Sequence, residues 1–170
     1  MLFRSSGNLK PKDVTISMWL YLPSMPSISS AIFSSYNNAS GEFDQIDTVE
    51  AGPQGFSCYS GTQWESGIFN MGSTALNKWQ QITCVYNGTA GTMTLYIDGK
   101  KISSISSPYH GDIYVAGGYL TDVGIGYSNE GNPLPNGYID DVMIFSSALA
   151  SGDIEKVYAA GLPEHILANR

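Results

Sequence analysis

Gly137-Tyr138-Ile139-Asp140-Asp141-Val142-Met143-Ile144-Phe145 is the stretch whose reading decides the fold. It is a β-branched and aromatic run with two adjacent carboxylates inside it, where a charge is costly to bury without a partner. Asn132-Pro133-Leu134-Pro135-Asn136 supplies a turn before it, and residues 146–150 lead into a short helix. The run therefore reads as a closing strand held between two punctuation marks.

Upstream, residues 13–22 alternate Val14, Ile16, Met18, Leu20 and Leu22 with Thr15, Ser17, Trp19 and Tyr21, the period of a strand with one apolar face. Pro23 and Pro26 end it, because proline removes ladder donors. Short strands are expected at 31–36, 55–60 and 67–71, with a polar, acidic segment at 37–53 read as loop plus a short strand. Residues 78–86, 92–97 and 100–105 predict three successive antiparallel strands, the last two joined by Asp98-Gly99, a strong hairpin signal. A glycine-punctuated strand is expected at 122–127. After the closing strand, Ser151 is expected to cap a short helix carrying Ile154, Val157 and Tyr158 on one stripe, with Gly161-Leu162-Pro163 stopping it. Many short strands, frequent turns and one helix predict an all-β sandwich. The division is an arm or shortened first strand at 1–12, the sandwich at 13–161 and a C-terminal tail at 162–170.

The 170 residues suit a single domain that buries its own core, and 42% hydrophobic content with 14% charged argues against disorder. A net charge of −7 disfavours phosphate-backbone binding, so nucleic acid is not expected as a partner. No apolar run approaches the roughly 18 residues a membrane span needs, so no membrane insertion is expected. Residues 1–12 hold Arg4 and Lys10 without a continuous apolar segment, so no signal peptide is expected. Cys58 and Cys84 make neither a disulfide framework nor a zinc set; buried thiols and a single bridge both remain open. His110 and His165 have no partners at metal-ligand spacing, which argues against zinc.

Three segments, taken in order, resemble the laminin-G-like domains of the concanavalin A-like lectin/glucanase superfamily. They are Thr15-Ile16-Ser17-Met18-Trp19, the run from Trp79 through Val85-Tyr86 to Leu95-Tyr96-Ile97-Asp98-Gly99, and residues 137–145 with Ala148-Leu149 and the helix. The resemblance covers about residues 13–160 and implies a two-sheet antiparallel jelly-roll sandwich with one short C-terminal helix. It also implies a domain that mostly binds, and one structural Ca²⁺ with Asp140 as the preferred ligand. Calcium takes about six to eight hard oxygens. Family members often open with a strand bearing an aromatic, Gly and Asp, whereas residues 1–7 offer Phe3 and no carboxylate.

A glycoside hydrolase needs two carboxyl groups about 5–5.5 Å or about 6.5–9.5 Å apart. Neighbours in a regular strand point to opposite faces, so Asp140 and Asp141 are not expected to form such a pair, and no catalytic residue is assigned. Sugar binding instead uses an aromatic platform with neutral hydrogen-bonding groups beside it. Trp64, in the polar turn Gly61-Thr62-Gln63-Trp64-Glu65-Ser66-Gly67, is the first candidate, with Tyr36, Tyr59, Tyr109, His110, Tyr127 and Asn129 around it. Trp19 and Trp79 read as structural. The expected function is non-catalytic glycan binding or adhesion through rim loops or the concave sheet. The alternative is a structural module docking protein neighbours in a larger assembly, such as a virion-surface decoration protein, with a glycan hydrolase or lyase least favoured. All three imply an extracellular, cell-surface or virion-surface location.

Overall fold

The computed structural model describes residues 13–28, 30–37, 44–53, 55–60, 66–68, 75–106, 122–126 and 134–167. Strands β1 (Asp13–Tyr21), β2 (Ser30–Asn37), β3 (Asp44–Gly52), β4 (Gly55–Ser60) and β5 (Ser66–Ile68) come first in the chain. Strands β6 (Trp79–Asn87), β7 (Thr92–Ile97), β8 (Lys100–Ser106), β9 (Asp122–Ile125) and β10 (Tyr138–Phe145) follow, and helix α1 (Ser151–Leu167) closes it. They form two antiparallel sheets, sheet A in the order β10-β1-β6-β7-β8 and sheet B in the order β5-β4-β3-β2-β9. The closing strand β10 pairs with the first described strand, β1, so the two ends of the domain meet in one ladder.

Alternation builds the core. Val14, Ile16, Met18, Leu20 and Leu22 face Ile32, Phe33, Val49, Ala51, Phe56 and Cys58 of sheet B, together with Ile82, Leu95 and their neighbours. At the β7–β8 turn Asp98 and Gly99 both take positive φ, 50° and 73°, as a two-residue hairpin of this hand requires. The Asp98 carboxylate accepts the Gln81 N–H, tying that turn back to β6. Two expectations change here. Residues 44–52, read as mostly loop, form a nine-residue strand, because pairing with β2 and β4 on either side supplies the ladder that local composition did not announce. Cys58 on β4 and Cys84 on β6, left open above, form a disulfide with Cα atoms 6.2 Å apart, and it clamps sheet B to sheet A through the core.

The outer face of sheet A has its own smaller core, with Ile154 of α1 packed on Val85 and Tyr96 beside Ala148 and Leu149. Thr15 anchors the approach to the helix: its hydroxyl donates to the Ser147 carbonyl and accepts the Leu149 N–H. Ala150, not Ser151, presents the carbonyl that accepts the first helical N–H groups. The Ser151 hydroxyl is 3.0 Å from that of Tyr96, which holds the helix start to β7.

The helix does not stop at Gly161-Leu162-Pro163 but runs on to Leu167, so residues 162–167 belong to the packed domain rather than to a tail. Glycine and proline inside a helix cost about 1 and about 3 kcal/mol relative to alanine, so something outside the helix must offset them. That something is Trp19, 1% exposed, whose ring is stacked by Tyr158 at 5.5 Å and by His165 at 4.2 Å. Gly161 lies between them, so close to the indole that a Cβ would meet Trp19 Nε1 and approach Cε2 to 3.0 Å. Only glycine lets this turn of the helix settle onto the ring.

Two stability measurements check this architecture. Cys84→Ala, or reduction of the bridge, is expected to lower unfolding stability by about 3 kcal/mol, from a 26-residue separation, in urea titrations. Unchanged stability on reduction would show the clamp to be idle. Gly161→Ala adds helix propensity of about 1 kcal/mol yet overpacks Trp19 at a cost of about 1–3 kcal/mol. A lower melting temperature is expected, and a higher one would refute the close approach.

Candidate functional site

The expected ligand residues divide between two ends of sheet B. Tyr36 on β2 is paired with Gln45 on β3 and with Asp122 on β9, while Tyr59 on β4 is paired with Thr48. Tyr36 and Tyr59 thus occupy strands two apart, roughly 10 Å across the sheet, near the same end. The connection at 61–65, which contains Trp64, leaves β4 at that end, and the connection at 107–121, with Tyr109 and His110, enters β9 there. Tyr127 and Asn129 follow β9 from its other end, beside the pairing of Ile125 with Phe33. Trp64, Tyr109, His110, Tyr127 and Asn129 themselves lie outside the described residues.

Asp140 and Asp141 sit at an irregularity that alternation alone does not anticipate. Between the pairs Ser17↔Met143 and Trp19↔Asp140, two residues of β10, Asp141 and Val142, stand against the single Met18 of β1. This is a β-bulge, and Asp141 takes φ 47° there, a left-handed geometry that aspartate tolerates better than most residues. The bulge resets the register, so both carboxylates are exposed while Ile139 and Val142, on either side, pack toward the core.

The Asp140 carboxylate has a defined setting. Oδ1 accepts the Asp141 N–H at 2.9 Å, and Oδ2 lies 3.5 Å from Nε2 of His165. His165 is buried, and its Nδ1 is 2.8 Å from the Gly161 carbonyl, which can only accept, so Nδ1 carries a hydrogen. Calcium needs a shell of oxygens, but here the carboxylate meets an N–H and an imidazole. Among the described residues no group of three His, Cys, Asp or Glu side chains is placed to hold a metal. Among the described residues, the Asp140 carboxylate is met by an N–H and an imidazole and not by further oxygens.

What the sequence reading missed is a continuous chain of aromatic rings over the outer face of sheet A. Tyr138 meets Tyr21, and Tyr21 meets Trp79, each at 5.9 Å and 61°. Trp79 meets His165 edge-on at 5.0 Å, His165 stacks on Trp19, and Trp19 stacks on Tyr158. Burial, and then the Asp98 carboxylate, hold the Tyr158 phenol above its ordinary pKa, so it stays neutral in physiological conditions. Trp19 is structural as expected, whereas Trp79 is only half-buried and Tyr138 is 66% exposed. The signal lay in the shared parity of Trp19 and Tyr21, but joining it to Trp79 and Tyr138 needed the strand register.

Comparison with known proteins agrees with this geometry. A laminin G family model, described as concanavalin A-like lectin/glucanases superfamily, matches residues 2–155. No curated protein matches the chain. Among solved structures, the binding domain of botulinum neurotoxin DC in complex with SialylT superposes with a TM-score of 0.65 at 19% identity, over 88% of this chain and 36% of that one. The same binding domain in complex with rat synaptotagmin II gives 0.66 at 19% identity, over 90% and 37%. The binding domain of Paraclostridial Mosquitocidal Protein 1 gives 0.63 at 19% identity, over 87% and 37%. This chain therefore spans little more than a third of the length of those domains, and the likeness is one of fold. With the two-sheet sandwich and a family match over most of its length, the chain belongs to the laminin G branch of the concanavalin A-like lectin/glucanases superfamily.

Proposed function

We propose that the chain is a non-catalytic glycan-binding or adhesion module. The observation that carries this reading is the topology of sheet B. Its register sets Tyr36 and Tyr59 near one end, where the connections containing Trp64, Tyr109 and His110 join the strands. Aromatic residues carried by the strands and connections at one end of a sheet are the residue types that sugar stacking uses. The carboxylates of the closing strand support binding over hydrolysis, since they are sequence neighbours on a bulge and one is engaged by the other's N–H. The solved relatives carry SialylT in one case and synaptotagmin in the other, which supports a glycan or a protein as partner here.

A second reading, docking of protein neighbours in a larger assembly, is favoured by Ile125 and Ile144. They are 54% and 55% exposed on the edge strands β9 and β10. Exposed apolar residues on strands that are outermost among the described residues are ready contacts for another chain. The Cys58–Cys84 bridge supports an oxidising location under either reading, such as outside a cell or on a cell or virion surface.

A glycan array tests the first reading: binding to at least one glycan class is expected, weakened roughly ten-fold by Trp64→Ala if that ring is a platform. Silence across a broad array, with native mass measurement showing incorporation into an assembly, would transfer the function to protein docking. Calcium is tested by melting. The surroundings of Asp140 predict no shift at millimolar calcium, whereas a rise would restore Asp140 as a ligand, because a ion bound to the native state raises apparent stability.

A further inference from the structure

The aromatic chain on sheet A has a buried half and an open half. Trp19, Tyr158 and His165 lie at or beneath α1 and anchor it. Tyr138, Tyr21 and Trp79 continue beyond it, and the register places them side by side on three adjacent strands, β10, β1 and β6. Tyr21 stands between its two neighbours, and Trp79 is braced in turn against His165. Rings held in this way lose little rotamer freedom when a ligand arrives, so a contact made on them is not eroded by ordering cost. The outermost ring, Tyr138, is 66% exposed, a large apolar face left to solvent, while Tyr21 and Trp79 are half-buried.

Asp140 gives the row a fixed polar group. It lies two residues after Tyr138 on β10, and like Tyr138 it points outward, as its approach to His165 shows. The Asp141 N–H on Oδ1 restrains the carboxylate, while its side chain remains 62% exposed with acceptor positions turned to solvent. An aromatic face with a restrained acceptor alongside suits a sugar ring, whose C–H face stacks while its hydroxyls donate. Charge narrows the class. Asp140 and Asp141 are both exposed at this end, Lys78 is the exposed cation next to Trp79, and the chain as a whole carries −7. Among the described residues, an acidic sugar on Tyr138 would face Asp140 and Asp141, two exposed carboxylates of the same strand, which disfavour it by like charge.

We propose that the exposed Tyr138 ring, braced edge-on through Tyr21 and Trp79 and with the Asp140 carboxylate on the same strand, forms a stacking platform for an uncharged sugar ring of a glycan. This rests on the glycan-binding reading above and adds a second platform, on sheet A, separate from the rim of sheet B that Trp64 adjoins. The test uses the intact chain on an array of mannose-, glucose-, galactose- and N-acetylhexosamine-terminated glycans with sialylated counterparts. Wild type is compared with Tyr138→Ala, Tyr138→Trp and Trp64→Ala. The platform predicts that Tyr138→Ala loses roughly ten-fold or more in affinity for uncharged glycans with its melting temperature unchanged, since the ring is at the surface. Tyr138→Trp is expected to retain binding, and Trp64→Ala to keep a residual signal for the same glycans. Wild-type binding that Tyr138→Ala leaves intact, or that Trp64→Ala alone abolishes, overturns the platform while glycan binding stands. Binding confined to sialylated glycans overturns the charge argument and the proposal with it. A wild type silent on every glycan overturns both readings together.

Discussion

The structure depends on one buried ring. Trp19 projects from the outer face of sheet A, and α1 closes over it with Tyr158 on one side, His165 on the other and Gly161 between. Remove that contact and the helix has no reason to continue, since Gly161 and Pro163 disfavour it locally. With it, the last turns are ordered, His165 is carried over to Asp140, and the same imidazole braces Trp79. A single packing decision on one strand thus determines where the helix ends, how the closing strand's carboxylate is set, and how firmly the surface aromatics are held. Tertiary packing overrides helix propensity here because the alternative leaves a large indole face uncovered.

Much of the fold was legible because alternation in β1, β6 and β7 is nearly complete. Val14 through Leu22 and the Asp98-Gly99 turn each determine a face or a register without help from distant residues. What stayed hidden needed contacts remote in sequence. The strand at Asp44–Gly52 carries the carboxylates Asp44, Asp47 and Glu50, which read as loop, and it exists because β2 and β4 flank it. The Cys58–Cys84 bridge depends on two sheets meeting face to face, which no spacing between two cysteines expresses. The helix end was misjudged for the same reason: glycine and proline are local stop signals, and the ring that overrules them is more than a hundred residues upstream.

The candidate site shows the same limit from the other side. Trp64 stands out in the sequence because its neighbours are polar, so it has no evident core duty. Tyr138 and Trp79 do not stand out, since each sits in a run that reads as an ordinary strand. Only the pairing of β10 and β6 with β1 on either side makes them a row through Tyr21. Parity along one strand says which residues share a face, but an aromatic platform is a property across strands, set by register.

The paired aspartates bring these threads together. In a regular strand they would be divided between core and solvent, and one would need a buried partner. The bulge removes that conflict: by inserting one residue opposite Met18, with Asp141 in a left-handed turn, β10 sends both carboxylates to solvent and still returns Val142 to the core. It also fixes what Asp140 can do. Its Oδ1 is taken by the next N–H and its Oδ2 is directed at His165, so the group is restrained more than an exposed carboxylate ordinarily is. Restraint of this kind is a poor start for a calcium shell, which needs several oxygens converging, and a good one for a single directional hydrogen bond beside an aromatic face. The local cost of a bulge in the closing strand is thereby tied to a place on sheet A where a polar acceptor and an open ring share one strand.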